Sequence, residues 1–240
     1  MTEPRNHRPG PVEGTDSESR LPAHVILLHG LWMRGFALSM LHHRLMEAGF
    51  RVHRFDYLSV AASQQRILDR LHQRIAGLAG EADTVHLVGH SLGGLLALRA
   101  CSDGEVLPPG RIVCLGSPLR GSAAARSFAR WGRGGELLLG HNRQLLEQGF
   151  ERWDGEREVG VIAGRVALGL GAVLGHLEGE HDGTVAVEET RLPGLADHCV
   201  VESNHTGLLF SPEVARRVAC FLREGQFAAM PGAGTPADFG

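Results

Sequence analysis

The stretch Gly89-His90-Ser91-Leu92-Gly93 constrains this chain more than any other, because the apolar run Val85 to Val88 leads into it and the helix-forming run Leu92 to Ala100 leaves it. A strand that becomes a helix within so few residues must turn sharply, and Gly89 and Gly93 lack the side chains that would collide across such a turn. The strained backbone then pushes the Ser91 hydroxyl out of the fold, where it can act as a nucleophile. The competing reading is a glycine-rich turn with an incidental serine. A dinucleotide-binding turn fits less well, because Gly89, Gly93 and Gly94 do not match Gly-x-Gly-x-x-Gly.

Strand and helix signals alternate on either side of that turn. Val25-Ile26-Leu27-Leu28 is a continuous apolar run, as expected of a parallel strand buried on both faces. Leu38, Leu41 and Leu45 form one stripe of a following helix that Gly49 ends. Arg51 to Phe55 reads as a second strand, and Leu68, Leu71, Ile75 and Leu78 mark a second amphipathic helix. After the Ser91 turn, Ile112 to Leu115, Val159 to Ala163 and His198 to Val201 supply three more strands. The last helix has Ser211 as its cap, Pro212 at its first position and Val214, Val218 and Phe221 on one face. This alternation predicts an α/β fold, a doubly wound, mostly parallel sheet of about six strands.

The chain has 240 residues, 43% of them hydrophobic, enough for one sizeable core and one domain over residues 22–225. Residues 1–21 are Pro-, Gly- and charge-rich and read as a disordered lead-in; residues 226–240 read as a flexible tail. Between them, Gly121 to Phe150 reads as two or three short helices, with Arg126, Arg130 and Arg133 beside Trp131. A connecting excursion is the simpler interpretation and a substrate-covering lid the alternative; its length argues against a large cap domain.

A net charge of -3, from 24 basic and 27 acidic residues, gives no electrostatic footprint for nucleic acid. No apolar run approaches the roughly 18 residues of a membrane-spanning helix, and the amino terminus does not read as a signal peptide. The four cysteines, Cys101, Cys114, Cys199 and Cys220, lie scattered in apolar runs like small buried hydrophobes. A cytoplasmic protein with reduced thiols is the expectation. The sequence leaves the oligomeric state open.

A serine hydroxyl needs a base to take its proton and a carboxylate to orient that base. In a sheet of this type both come from later loops, in the order Ser, Asp, His. Asp182, in Glu180-His181-Asp182-Gly183-Thr184-Val185 after the fifth strand, is the favoured acid; Asp154, Glu178 and Asp197 compete. Asp154 and Asp197 precede strands and should point away from the strand carboxyl ends. His205, in Ser203-Asn204-His205-Thr206-Gly207 after the sixth strand, is the favoured base among 14 histidines. His42, His43 and His72 fall on helices and His7 in the lead-in. His90 adjoins Ser91, but neighbouring side chains diverge on a sharp turn.

His29-Gly30-Leu31-Trp32 ends the first strand, where the Leu31 backbone N–H can face the nucleophile. The Leu92 N–H, at the start of its helix, is a second donor. Together they read as an oxyanion hole, in which one side-chain donor is typically worth about 100- to 1000-fold in turnover. The run His176, Glu178, Glu180, His181 and Asp182 could be read as a metal site, but it lacks helical His-x-x-x-His spacing, so no metal or other cofactor is expected.

From about Val25 to Leu222 the chain resembles the α/β-hydrolase superfamily. The likeness rests on His29-Gly30, Gly89-His90-Ser91-Leu92-Gly93-Gly94, Leu115-Gly116-Ser117-Pro118 with Gly121-Ser122, Asp182-Gly183-Thr184-Val185 and His205-Thr206-Gly207-Leu208-Leu209. Within the superfamily it is most similar to small bacterial lipase- and esterase-like members, a group that also looks like GPI inositol-deacylase relatives. The resemblance implies a reduced α/β-hydrolase fold, with Ser91 as nucleophile, His205 as base and acid, Asp182 as its partner, and Leu31 and Leu92 as oxyanion donors. The expected activity is hydrolysis of carboxylic esters, medium-chain or lipid-derived, through an acyl-enzyme. The apolar Leu31, Trp32, Met33 and Phe36 motivate the acyl preference, with Trp32 and Met33 as substrate-binding candidates. Acyl transfer or thioester hydrolysis by the same triad is an alternative, as is a catalytically silent binding fold.

Overall fold

The computed structural model describes residues 22–227, apart from 103, 130, 131, 133, 135, 136, 138 and 169–176. The expected lead-in, most of the expected tail, and His176, Arg130, Trp131 and Arg133 lie outside the described residues.

The strands are β1 (His24–Leu28), β2 (Arg51–Phe55), β3 (Val85–His90), β4 (Ile112–Leu115), β5 (Val159–Gly164) and β6 (Asp197–Val201). They form one six-stranded sheet in the order β2-β1-β3-β4-β5-β6. Every pairing is parallel. The helices, in chain order, are α1 (Ser39–Glu47), α2 (Gln64–Ala79), α3 (Leu92–Ser102), α4 (Ala123–Ala129), α5 (Arg143–Gln148), α6 (Val187–Thr190) and α7 (Pro212–Glu224).

Successive strand side chains point to opposite faces, so the unbroken apolar runs feed two cores at once. Ile26 and Leu28 of β1 join Leu87, Cys114 and Val161 under α2 and α3. Val25 and Leu27 join Val88, Val113 and Ile162 under α1 and α7. Burying one such Leu, Ile or Val side chain stabilises the fold by about 1.5–3 kcal/mol. The outer strand β2, by contrast, reads Arg-Val-His-Arg-Phe, with Arg51 and Arg54 exposed, Val52 and His53 half-buried and Phe55 buried. Charges on a sheet edge discourage pairing with another chain.

Local signals set the helix ends. The Ser63 and Ser211 hydroxyls accept the N–H groups of Arg66 and Val214, capping α2 and α7. At the far end of α7, Gly225 takes the left-handed conformation that closes a helix.

The strand order decides where a site can form. From β1 the chain steps outward to β2, then returns past β1 to β3 and continues the other way. The turns leaving β1 and β3 therefore diverge at their carboxyl ends, the place where open parallel sheets bind ligands.

Candidate active site

The β3 turn holds Ser91 at φ 55°, a left-handed conformation uncommon for a residue with a side chain. Its N–H donates to the Leu115 carbonyl at the end of β4, 2.9 Å away, which ties the turn to the next strand. A Cβ on Gly93 would lie 2.4 Å from the Leu28 carbonyl oxygen, and one on Gly89 2.3 Å from the Gly93 backbone. Only glycine allows α3 to start this close to the sheet.

Asp182 and His205 come from the loops after β5 and β6 and pair with each other, and His205 lines the same cavity as Ser91. The Asp182 Oδ2 lies 2.7 Å from His205 Nδ1. The other carboxylate oxygen accepts N–H groups from Thr184 at 2.9 Å and Val185 at 2.7 Å. The Asp182 side chain is 1% exposed and that of His205 13%. A buried carboxylate is tolerable when its oxygens are satisfied this fully. The pairing directs the imidazole proton to Nδ1 and leaves Nε2 with a lone pair. Gly116, at φ 53°, makes room: a Cβ there would sit 2.9 Å from Asp182 Oδ2 and 3.1 Å from His205 Nδ1.

The competing carboxylates are engaged elsewhere or face solvent. Asp154 pairs with Arg152 at 2.5 Å, and Glu178 is exposed. Asp197 accepts the His198 and Phe227 N–H groups at the amino end of β6. Among the other histidines, His72 bonds the Ala100 carbonyl and His43 pairs with Glu47.

The β1 turn approaches from the other side. Trp32 has φ 58°, and its N–H donates to Ser59 Oγ at 3.1 Å. His29 is a packing residue: fully buried, stacked on Tyr57 at 4.1 Å, with its Nδ1–H donating to the Gly30 carbonyl. Its Nε2 accepts the Tyr57 N–H at 3.3 Å, and burial pushes its pKa down against the opposing pull of Asp56, 3.3 Å away. Among the described residues nothing accepts the Leu31 N–H. Leu92, as the first residue of α3, has no partner within its helix, and helix amino ends favour negative charge.

Gly30, Leu31, Trp32, Ser91 and His205 border one cavity of about 330 Å³. Its remaining walls are mostly apolar, among them Met33, Pro118, Ala125, Phe128, Leu146 and Val185. Trp32, 46% exposed, meets the Phe128 ring edge-on at 5.6 Å. The segment from 121 to 150 thus does more than connect: through α4 and α5 it builds one wall of this cavity. Phe128 and Leu146 carried no sequence signal for that role, since an apolar residue on a short helix looks the same whether it faces core or cavity.

A wider groove of about 1110 Å³ lies at the opposite ends of the strands, beside Thr84, Arg111 and Arg157. Those arginines are committed to structure. Arg157 donates to the Val85 and Pro108 carbonyls, and Arg111 to Glu158 and the Leu222 carbonyl. Among the described residues no cluster of three or more His, Cys, Asp or Glu is arranged to hold a metal ion.

The model of the alpha/beta hydrolase family matches residues 25–238. The chain belongs to that family. No curated protein matches the sequence significantly. Among solved structures, a mature lipase of Bacillus licheniformis superposes with a TM-score of 0.65 at 19% identity, covering 89% of this chain and 95% of its own. A metagenomic carboxyl esterase gives 0.59 at 16% identity, covering 82% and 68%. An esterase of Pyrococcus furiosus gives 0.58 at 18% identity, covering 84% and 81%. At such identities the likeness is one of fold: the family's hydrolase architecture, as a single parallel sheet with no large cap among the described residues.

Proposed function

We propose that this α/β hydrolase is a serine esterase that cleaves carboxylic esters of medium-length or lipid-derived acyl groups through an acyl-enzyme. The observation that carries the reading is the 2.7 Å pair of Asp182 and His205, which opens into the same apolar cavity as the strained Ser91.

In this mechanism His205 Nε2 takes the Ser91 proton as Oγ attacks the ester carbonyl carbon. The carbonyl oxygen gains the negative charge and is met by the Leu31 and Leu92 N–H groups. Asp182 holds the Nδ1–H tautomer and offsets the positive charge that His205 acquires. As the intermediate collapses, His205 returns its proton to the departing alkoxide, which leaves as the alcohol. Water then repeats the attack on the acyl-Ser91 ester, with His205 again as base, and releases the acid. Trp32 and Met33, on the cavity wall, contact the acyl chain. No step calls for a cofactor.

The site's apolar walls support an acyl substrate, and the esterases and lipases among the structural relatives support the same class. Placement beside small bacterial lipase-like members and GPI inositol-deacylase relatives, and action in the cytoplasm, belong to this proposal. No helix among the described residues is long and apolar enough to cross a membrane. The test is a panel of chromogenic esters of rising acyl length, run with the native protein and Ser91→Ala. Turnover that requires Ser91 is expected; its absence on every ester would overturn the reading.

A further inference from the structure

His90 stands between the nucleophile turn and the loop of the base, and its bonding is unusual. It is 1% exposed. Its Nε2 lies 2.9 Å from the His205 backbone carbonyl, which can only accept, so Nε2 carries the proton and donates it. Its Nδ1 is buried with no partner among the described residues. That nitrogen faces the β1 turn, 3.2 Å from where a Cβ on Gly30 would be. A buried acceptor left unmade is costly, so a side chain kept in this state is held there by the bond at its other end.

The His205 backbone is gripped at both ends of the residue. Its N–H donates to the Asp182 carbonyl at 2.8 Å, and its C=O accepts from His90. The two imidazole rings lie 4.6 Å apart, tilted by 48°. Asp182 thus fixes the direction of the His205 ring, while His90 fixes how far the loop after β6 stands from β3. Since His90 adjoins Ser91 on a strand end locked into the sheet, it refers the position of the base to the position of the nucleophile.

We infer that His90 is a positioning residue, whose Nε2–H···O=C bond to His205 sets the reach of the base toward Ser91. The inference rests on the reading of Ser91 and His205 as nucleophile and base. Burial and the nearby His205 push the His90 pKa down to about 3, so the ring stays neutral and keeps this single donor role across working pH.

The experiment compares His90→Gln, His90→Asn and His90→Leu with the native protein on one chromogenic ester, with folding followed by circular dichroism. A glutamine amide nitrogen reaches the place of the imidazole Nε2 and can restore the bond; an asparagine amide reaches only as far as Nδ1. A base misplaced by about 1 Å can cost on the order of 100-fold. The expected result is kcat lowered about 100-fold in folded His90→Asn and His90→Leu at a KM within about twofold, with most of kcat recovered in His90→Gln. Equal kcat in the Gln and Asn variants would overturn the positioning role, as would a loss carried by KM alone. Failure of the underlying reading looks different: the native protein itself would then show no Ser91-dependent turnover.

Discussion

Asp182 holds His205 twice, through its carboxylate at Nδ1, 2.7 Å away, and through its own backbone carbonyl, which accepts the His205 N–H at 2.8 Å. The backbone bond survives any change of the side chain. Asp182→Asn should therefore leave the loop in place while removing the charge and favouring the wrong imidazole tautomer. The expected loss is about 10⁴-fold in kcat with little change in Tm. A near-native rate in this variant would remove Asp182 from the triad.

Ser91 pays for its exposure with a left-handed backbone. That conformation costs a residue with a side chain roughly 1–2 kcal/mol, and glycine escapes it while losing about 0.5–1 kcal/mol to chain entropy. Ser91→Gly should be inactive yet more stable than Ser91→Ala, by about 1–3 °C in Tm for a chain of this size. A less stable glycine variant would contradict the strain.

Gly116 keeps a methyl group away from the Asp182 and His205 pair. In Gly116→Ala the new Cβ meets both partners inside contact distance, at a φ that disfavours any side chain. Turnover should fall by about 100-fold, beyond what a destabilisation of about 1–2 kcal/mol would explain in a protein still folded at the assay temperature. Kinetics alongside thermal melts separate the two effects.

The cavity should read acyl length. Each methylene buried is worth about 0.8 kcal/mol, about fourfold in kcat/KM, until the walls are reached. Phe128→Ala removes the part of the wall that packs against Trp32 and should move the optimum to longer chains in a series of p-nitrophenyl esters. An unmoved optimum would show that the acyl group lies elsewhere.

Stability should fall on the acid side. Burial pushes His86 and His90 down to about 3 from an ordinary 6.5, so the fold keeps both neutral while the unfolded chain protonates them. Their contribution is complete above pH 6.5 and is lost as pH falls toward about 3, at up to about 1.4 kcal/mol per pH unit for each ring. His86→Asn preserves an acceptor for the Arg111 N–H and should flatten the decline of Tm between pH 6.5 and 4. An unchanged slope would exclude His86 as a contributor.

The six strands and the Ser91 turn were legible because their signals are local. An apolar run buried on both faces, or a serine between glycines where strand meets helix, announces its conformation within a few residues. Short helices such as Val187–Thr190 were not legible, since four residues are too few to show a period. The segment from 121 to 150 read as a connector because its wall-forming side chains are apolar like those of any core.

The sequence by itself determined the α/β alternation, the Ser91 turn, and the chain order of Ser91, Asp182 and His205, the residues of the proposed triad. Only the tertiary structure decided which strand lies beside which, and therefore that Asp182 meets His205, that His90 grips the loop between them and Ser91, and that α4 and α5 wall the cavity. Periodicity records which face of an element is buried; the partner it is buried against depends on strand order, which residues far apart in the chain decide together.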